Sequence, residues 1–110
     1  MKKHQLVWTS FSIQCLDEIY EFIFNETFSE TLAQKEVNKL ISRVDQLALL
    51  PDSGQIELLL KKIGQNSRYL VEGSYKIIYQ HDEKTVIITD VFHTSQNPKK
   101  IISRSKKKKF

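Results

Sequence analysis

The sequence predicts a single α+β domain, in which an amino-terminal strand and an antiparallel helical hairpin pack on a twisted antiparallel β-sheet. In the first half of the chain, apolar residues recur at helical spacing. In the second half, β-branched and mostly apolar runs alternate with short polar turns. The length of 110 residues fits one hydrophobic core and is too short for two.

The first half predicts one strand and two helices. Residues 6–9 form a short β-prone run, and a helix of about residues 12–25 follows, with an apolar face at four- and three-residue spacing. Ser29 is the predicted N-cap of a longer second helix, which Pro51 and Gly54 end. Because only a few residues join the two amphipathic helices, they should pack antiparallel.

The second half supplies the sheet. Residues 68–72, 75–80 and 85–92 are predicted strands, and the last is so apolar that we expect it in a central position. The two-residue loop at 73–74 begins with glycine and suits a type II′ hairpin. The amino-terminal strand is expected to complete the sheet. Residues 55–64 are compatible with either a short strand or a loop across the core.

Positive charge is concentrated near the carboxyl end of the chain. Seven Lys or Arg residues and no acidic residue follow position 98, whereas residues 1–98 hold ten positive and 13 negative residues. We therefore predict a single domain at residues 1–102 and a basic, flexible tail at residues 103–110. A solvated end is the simplest interpretation of this tail, and non-specific contact with RNA or DNA is the alternative.

Several classes of protein are disfavoured by composition. No apolar run approaches the ~20 residues that a membrane span needs, and no secretory signal is recognisable. Cys15 stands alone, and the three histidines are scattered, so we predict neither a disulfide nor a metal site. The glycines form no phosphate-binding loop. We expect a cytoplasmic protein that needs no cofactor and has no small-molecule substrate.

Five side chains on the predicted sheet could carry chemistry or binding: Arg68, Tyr75, Lys76, Tyr79 and His93. Metal-free RNA cleavage needs a base, an acid and a cation that stabilises phosphorane charge. His93 or a tyrosine could exchange protons, and Arg68 or Lys76 could hold the charge. Strand alternation places Tyr75 and Tyr79 on one face and Lys76 on the other. Simple packing of the tyrosines and a surface ion pair for Arg68 are the structural alternatives.

The order of these residues resembles the RelE/ParE toxin family over roughly residues 6–102. In the first half the resemblance is carried by Trp8-Thr9, Leu16, Ile19-Tyr20-Glu21-Phe22-Ile23, Leu50-Pro51 and Gly54. In the second half it is carried by Arg68-Tyr69-Leu70-Val71, Gly73, Tyr75-Lys76-Ile77-Ile78-Tyr79, Ile88-Thr89-Asp90-Val91-Phe92-His93 and Asn97-Pro98.

The resemblance implies the toxin of a bacterial type II toxin–antitoxin system, of the kind that stabilises plasmids. A cognate antitoxin would wrap the toxin with its carboxyl-terminal segment and neutralise it. Members of the family divide by target. RelE-like members cleave mRNA in the ribosome, whereas ParE-like members inhibit DNA gyrase and are not nucleases.

The departures from the nuclease pattern favour the ParE-like side. Lys76 stands where nuclease members have a catalytic arginine, and lysine lacks the bidentate grip of arginine on phosphate. After His93 the chain continues with Thr-Ser-Gln, where nuclease members present further basic or aromatic groups. Residues 1–98 carry a net negative charge, which disfavours tight binding to ribosomal RNA.

Three functions remain open from the sequence. A ParE-like toxin, which is not an enzyme, would bind a protein such as gyrase through Arg68, Tyr75, Lys76 and His93. A RelE-like, ribosome-dependent mRNA endonuclease would use Arg68, Lys76, Tyr79 and His93 as metal-free catalytic residues. A degenerate member of the family would only bind its antitoxin.

Overall fold

The computed structural model describes residues 3–105 and has the predicted α+β architecture. The elements in chain order are β1 (Gln5–Trp8), α1 (Ser10–Thr27), α2 (Glu30–Asp45), a 3₁₀ turn (Gln46–Ala48), β2 (Gln55–Ile56), α3 (Leu58–Lys61), β3 (Arg68–Glu72), β4 (Tyr75–His81), β5 (Thr85–His93) and α4 (Lys100–Ser105). The five strands form one sheet in the order β1-β5-β4-β3-β2. As predicted, β5 is a central strand and β1 completes the sheet.

The sheet is mixed, which corrects the prediction of a wholly antiparallel one. The strand β1 runs parallel to β5, with Gln5 opposite Thr85 and Trp8 opposite Ile88. The other three pairs are antiparallel. Only a tight hairpin forces neighbouring strands to be antiparallel, and β1 is separated from β5 by most of the chain.

Side-chain caps set the helix boundaries. The Thr9 hydroxyl accepts a hydrogen bond from the Ser12 amide at 3.1 Å, so α1 begins two residues before the predicted start. Phe28 adopts a left-handed conformation with φ of 54° and ends α1. The Ser29 hydroxyl accepts from the Leu32 amide at 3.1 Å, which confirms Ser29 as the N-cap of α2.

The β3–β4 hairpin has the predicted two-residue loop, because Glu72 pairs with Tyr75 across it. Gly73 has a φ of +57°, as the first central position of a type II′ turn requires. A β-bulge between β4 and β5 leaves Thr89 without a partner residue on β4, and its hydroxyl donates to the Ile78 carbonyl at 3.2 Å.

The two faces of the sheet carry different layers. The hairpin face packs against α1 and α2, and its buried cluster is Cys15, Leu16, Ile19, Val37, Leu40, Val44, Leu47, Leu70, Ile77, Tyr79, Val86, Ile88 and Val91. The α3–α4 face carries a small cluster of Leu60, Ile78, Phe92 and Ile101.

Two segments that the sequence analysis left open or assigned to a tail are ordered elements beside this second cluster. Residues 55–64 form β2 and the short helix α3. Residues 103–105, predicted to begin a tail, instead lie in α4, in which Ile101 packs on the sheet and Ser105 is also buried. Residues 106–110 lie outside the described part of the chain.

Candidate functional site

The structure divides the five predicted site residues among three places. Arg68 and Tyr79 are opposite each other on β3 and β4, whereas Tyr75 and His93 are opposite each other on β4 and β5. Tyr75 and Tyr79 are four residue steps apart along an extended strand, a distance of about 13 Å. Lys76 points to the α3–α4 face, where it contacts Tyr69.

Arg68 and Tyr79 fix the loop that follows α2. The Tyr79 hydroxyl donates to the Pro51 carbonyl at 2.6 Å and accepts from the Gly54 amide at 3.0 Å. The Arg68 guanidinium donates to the carbonyls of Gly54 at 2.9 Å and Asp52 at 3.3 Å. These bonds tie the loop backbone of residues 51–54 to the sheet, so both side chains have a structural role.

The environment of Tyr79 keeps its hydroxyl protonated. The side chain is completely buried, and burial raises the pKa of Tyr79 above its usual value, although the hydrogen bond from Gly54 opposes that shift. A Cβ on Gly54 would lie only 2.6 Å from the Tyr79 oxygen, which explains the glycine at this position. Tyr79 is thus enclosed by the loop that it holds.

Lys76 neutralises a buried carboxylate. Its Nζ lies 2.5 Å from Glu57 Oε2 and 4.0 Å from the centroid of the Tyr69 ring. Glu57 is buried and also accepts from the Leu59 amide at 3.3 Å, which caps α3. Because an unpaired buried carboxylate is costly, Lys76 stabilises the start of α3.

Tyr75 and His93 form an edge-to-face pair near the end of the sheet, with ring centroids 5.0 Å apart. His93 Nδ1 accepts a hydrogen bond from the Ser95 amide at 3.0 Å, so in the neutral ring the proton sits on Nε2. Burial, and secondarily Glu36, raise the pKa of Tyr75, which therefore stays protonated. We refer to this pair as the Tyr75–His93 ridge.

The ridge separates two clefts. One, of about 330 Å³, lies between α1 and the end of β5, and it is lined by Cys15, Glu18, Ile19, Phe22, Tyr75, Val91, His93, Ser95, Gln96 and Arg104. The other, also about 330 Å³, is lined by Ile23, Glu36, Lys39, Leu40, Glu72, Gly73, Ser74, Tyr75 and His93. Phe22, at the rim of the first cleft, is 61% exposed. Aromatic rings beside concave, half-polar surfaces are typical of protein-binding sites.

A buried charge network behind the first cleft was missed by the sequence analysis. The Arg104 guanidinium grips Asp90 through both carboxylate oxygens, at 2.7 and 3.1 Å, and its Nη2 lies 3.2 Å from the Cys15 sulfur. Asp90 is completely buried. A single acid inside the apolar run of residues 85–92 is the sequence signal that could have found it, because buried acids need a partner.

The Cys15 thiol is unreactive mainly because it is buried. Burial raises the pKa of Cys15 to about 11, and the neighbouring Asp90 adds to that shift while Arg104 opposes it. The thiolate form is therefore scarce at neutral pH, and nucleophilic chemistry by Cys15 is disfavoured.

The described residues show neither a metal-site geometry nor a membrane helix. Residues 3–105 bring together no group of three His, Cys, Asp or Glu side chains that could hold a metal ion. In the same range, no helix combines the length and the apolar character that a membrane crossing needs.

Fold and site together define a small α+β protein with an aromatic ring pair between two partly polar clefts at one end of its sheet. The family described as the ParE toxin of the type II toxin-antitoxin system parDE matches residues 6–98. The chain therefore belongs to the ParE toxin family: it is the toxin component of a type II toxin–antitoxin system and has a cognate antitoxin as partner. This confirms the resemblance to the RelE/ParE toxins and its ParE-like side.

A solved structure has the same fold. It is described as the chromosomal ParDE TA system from P. aeruginosa, and it matches with a TM-score of 0.65 and 18% sequence identity. The match covers 83% of this chain and 96% of that chain. No curated protein matches the sequence.

Proposed function

We propose that this toxin arrests bacterial growth by binding a protein target, such as DNA gyrase, and not by cutting RNA. The observation that supports the proposal is the dispersal of Arg68, Lys76, Tyr79 and His93 over two faces and two ends of the sheet. Metal-free cleavage requires an acid, a base and a cation around one phosphate.

The existing contacts of these residues also oppose catalysis. Arg68 and Tyr79 are used by the loop backbone, and Lys76 is paired with a buried carboxylate. Releasing Tyr79 would leave the buried Gly54 amide without a partner, and releasing Lys76 would do the same to the buried Glu57 carboxylate, at a cost of about 1–3 kcal/mol each. His93 lines both described clefts, and the cations that line them with it are paired, Arg104 with Asp90 and Lys39 with Glu36.

The Tyr75–His93 ridge is the proposed target-binding surface. Exposed aromatic side chains are the usual anchors of protein interfaces, and Phe22 stands beside the ridge. The two clefts on either side of the ridge could each accept an apolar or aromatic side chain of a partner. A cognate antitoxin that covers this region would neutralise the toxin, and gyrase as the target would place its action in the cytoplasm.

The test is a gyrase supercoiling assay with the purified full-length chain, run beside a translation reaction in which mRNA integrity is followed. We expect inhibition of supercoiling and intact mRNA. A variant carrying Tyr75→Ala and His93→Ala should raise the concentration needed for half inhibition at least tenfold. A matched variant with Glu21→Ala and Asn25→Ala, at exposed positions of α1, should behave like the wild type.

Two results would contradict the proposal. Codon-biased mRNA cuts that disappear in the Lys76→Ala or His93→Ala variant would establish the RelE-like nuclease. A chain that binds its antitoxin but affects neither gyrase nor mRNA, and that does not arrest growth, would be a degenerate member of the family.

A further inference from the structure

Two segments that are distant in sequence hold the excess positive charge of the chain. Residues 58–66 and 99–110 together contain nine Lys or Arg and no Asp or Glu. The remainder of the chain contains eight positive and 13 negative residues, a net charge of −5. The charge of this protein is therefore strongly segregated, although its formal total is only +4.

Tertiary packing brings the described parts of these segments together on one side of the sheet. Leu60 of α3 and Ile101 of α4 belong to the same buried cluster. The Gln65 amide donates to the Ser105 hydroxyl at 3.4 Å, which links the end of the α3 segment to the end of α4. We define the basic face as the exposed lysines of these segments: Lys61, Lys62, Lys99 and Lys100.

The charges of the basic face are not neutralised within the protein. Among residues 3–105, no carboxylate forms an ion pair with any of these four lysines. By contrast, the two cations that pack against buried carboxylates are paired, Lys76 with Glu57 and Arg104 with Asp90. The basic face is therefore free to attract an external polyanion.

We propose that the basic face binds the phosphate backbone of double-stranded DNA. Lysine is a compact point charge that contacts phosphates without reading bases, so the binding is independent of sequence. The acidic remainder of the chain would be repelled by DNA, so only this face would be turned towards it.

The residue types favour a duplex over a single strand. Single-stranded nucleic acids are bound by aromatic side chains that stack on the bases. Residues 58–66 and 99–105 contain no Phe, Tyr, Trp or His. The choice of DNA over RNA rests on the proposed function, because a toxin that binds gyrase would work beside DNA. Contact of the basic face with that DNA would add affinity to the complex of toxin, gyrase and DNA.

The expected salt dependence is specific enough to test. Each phosphate contact releases counterions and contributes about 0.9 to the slope of log K against log salt concentration. If all four lysines contact phosphates, they account for a slope of about 3.6. Such binding is expected to be in the micromolar range or weaker at physiological salt and to tighten steeply as the salt is lowered.

The experiment measures fluorescence anisotropy of a labelled 30-bp DNA duplex with the full chain at 50 to 200 mM NaCl. It compares the wild type with a variant carrying Lys61→Gln, Lys62→Gln, Lys99→Gln and Lys100→Gln. The control variant carries Lys3→Gln, Lys35→Gln, Lys39→Gln and Lys84→Gln, so that both variants lose the same charge. Circular dichroism and thermal unfolding verify that both variants are folded.

We expect the basic-face variant to bind DNA at least tenfold more weakly. The slope of log K against log salt concentration should decrease in magnitude by about 3 to 4. The control variant should stay within threefold of the wild type. Equal weakening of both variants, no binding at 50 mM NaCl, or tighter binding to duplex RNA or to vesicles with anionic lipid would each overturn the proposal.

The assay contains no gyrase, so its outcome is separate from the proposed target. A chain that inhibits gyrase but does not bind DNA would refute the proposal for the basic face and leave the proposed target-binding ridge unaffected. A chain that binds DNA but does not inhibit gyrase would support the basic face and refute the proposed target.

Discussion

The two faces of the sheet are stabilised in different ways. Among the described residues, the hairpin face has a cluster of 13 buried residues from two helices, the 3₁₀ turn and three strands. The α3–α4 face has a cluster of only four. The second face buries less apolar surface and has two charge pairs in addition, Lys76–Glu57 and Arg104–Asp90. The carboxylate of each pair is buried.

The difference shows what short helices can do. The helices α3 and α4 have four and six residues, so neither presents a long apolar stripe to the sheet. A charge pair with a buried carboxylate adds little net stability, but it is costly to break, so it fixes where a short helix docks. Variants on the two faces should therefore fail in different ways.

The largest expected effect is a cavity in the hairpin face. Leu47 is completely buried there, and Leu47→Ala should lower the free energy of unfolding by about 4 kcal/mol because the surrounding core cannot collapse into the space. Leu60, 1% exposed on the other face, has fewer fixed neighbours, so Leu60→Ala should cost about 2 kcal/mol. Urea unfolding of both variants checks the comparison, and equal losses would contradict it.

Breaking the charge pair of the second face should come next. Arg104→Met leaves the Asp90 carboxylate buried without its partner and should cost about 3 kcal/mol, measured by urea unfolding. Lys100→Met, at an exposed position of the same helix, should change stability by less than about 0.5 kcal/mol. Adding Asp90→Asn to Arg104→Met should recover part of the loss. A small effect of Arg104→Met alone would show that α4 is docked by apolar contacts.

Where the hairpin-face cluster meets this charge pair, Cys15 gives a pH dependence. Its pKa is about 11 in the folded chain against 9.0 as the ordinary value. Below pH 9 both states hold the proton; between pH 9 and 11 only the unfolded state releases it, so folded stability falls. From pH 8 to 10.5 the stability advantage of the wild type over Cys15→Ala should shrink by roughly 2 kcal/mol. Denaturant titrations at the two pH values measure it, and a gap that does not change with pH would refute the assignment.

The smallest effect concerns a polar anchor within the apolar face. Tyr79→Phe removes the partner of the Gly54 amide and should cost about 1.5 kcal/mol. Tyr20→Phe is the matched control, because the Tyr20 hydroxyl has no hydrogen bond within residues 3–105, and it should be nearly neutral. Thermal unfolding distinguishes the two. Equal behaviour would mean that water replaces the lost hydroxyl.

Much of the fold could be predicted because its signals are local. The helical period of α1 and α2, the cap at Ser29 and the glycine of the β3–β4 loop each act over a few neighbouring residues. The apolar composition of β5 likewise predicted its central position. The family was recognisable for a related reason, since an ordered series of residues survives in the sequence whatever their contacts are.

The candidate site was less predictable, because its residues act through partners far away in the chain. The sequence proposed Arg68, Lys76 and Tyr79 for chemistry, and only the fold shows that they hold a loop and a buried carboxylate. The sequence analysis assigned Arg104 to a tail. In the fold, Arg104 binds Asp90, which lies 14 residues earlier, inside β5.

The sequence by itself determined the class of fold, the order of β1, α1, α2, β3, β4 and β5, and the family of the toxin, because periodicity, caps and turns depend on neighbouring residues. Tertiary structure alone decided the parallel pairing of β1, the bulge at Thr89 and the separation of the candidate residues. It also brought Lys61 and Lys62 to the side of Lys99 and Lys100, across 37 residues of sequence. The physical reason is that these features depend on which surfaces bury each other, and no local pattern encodes that choice.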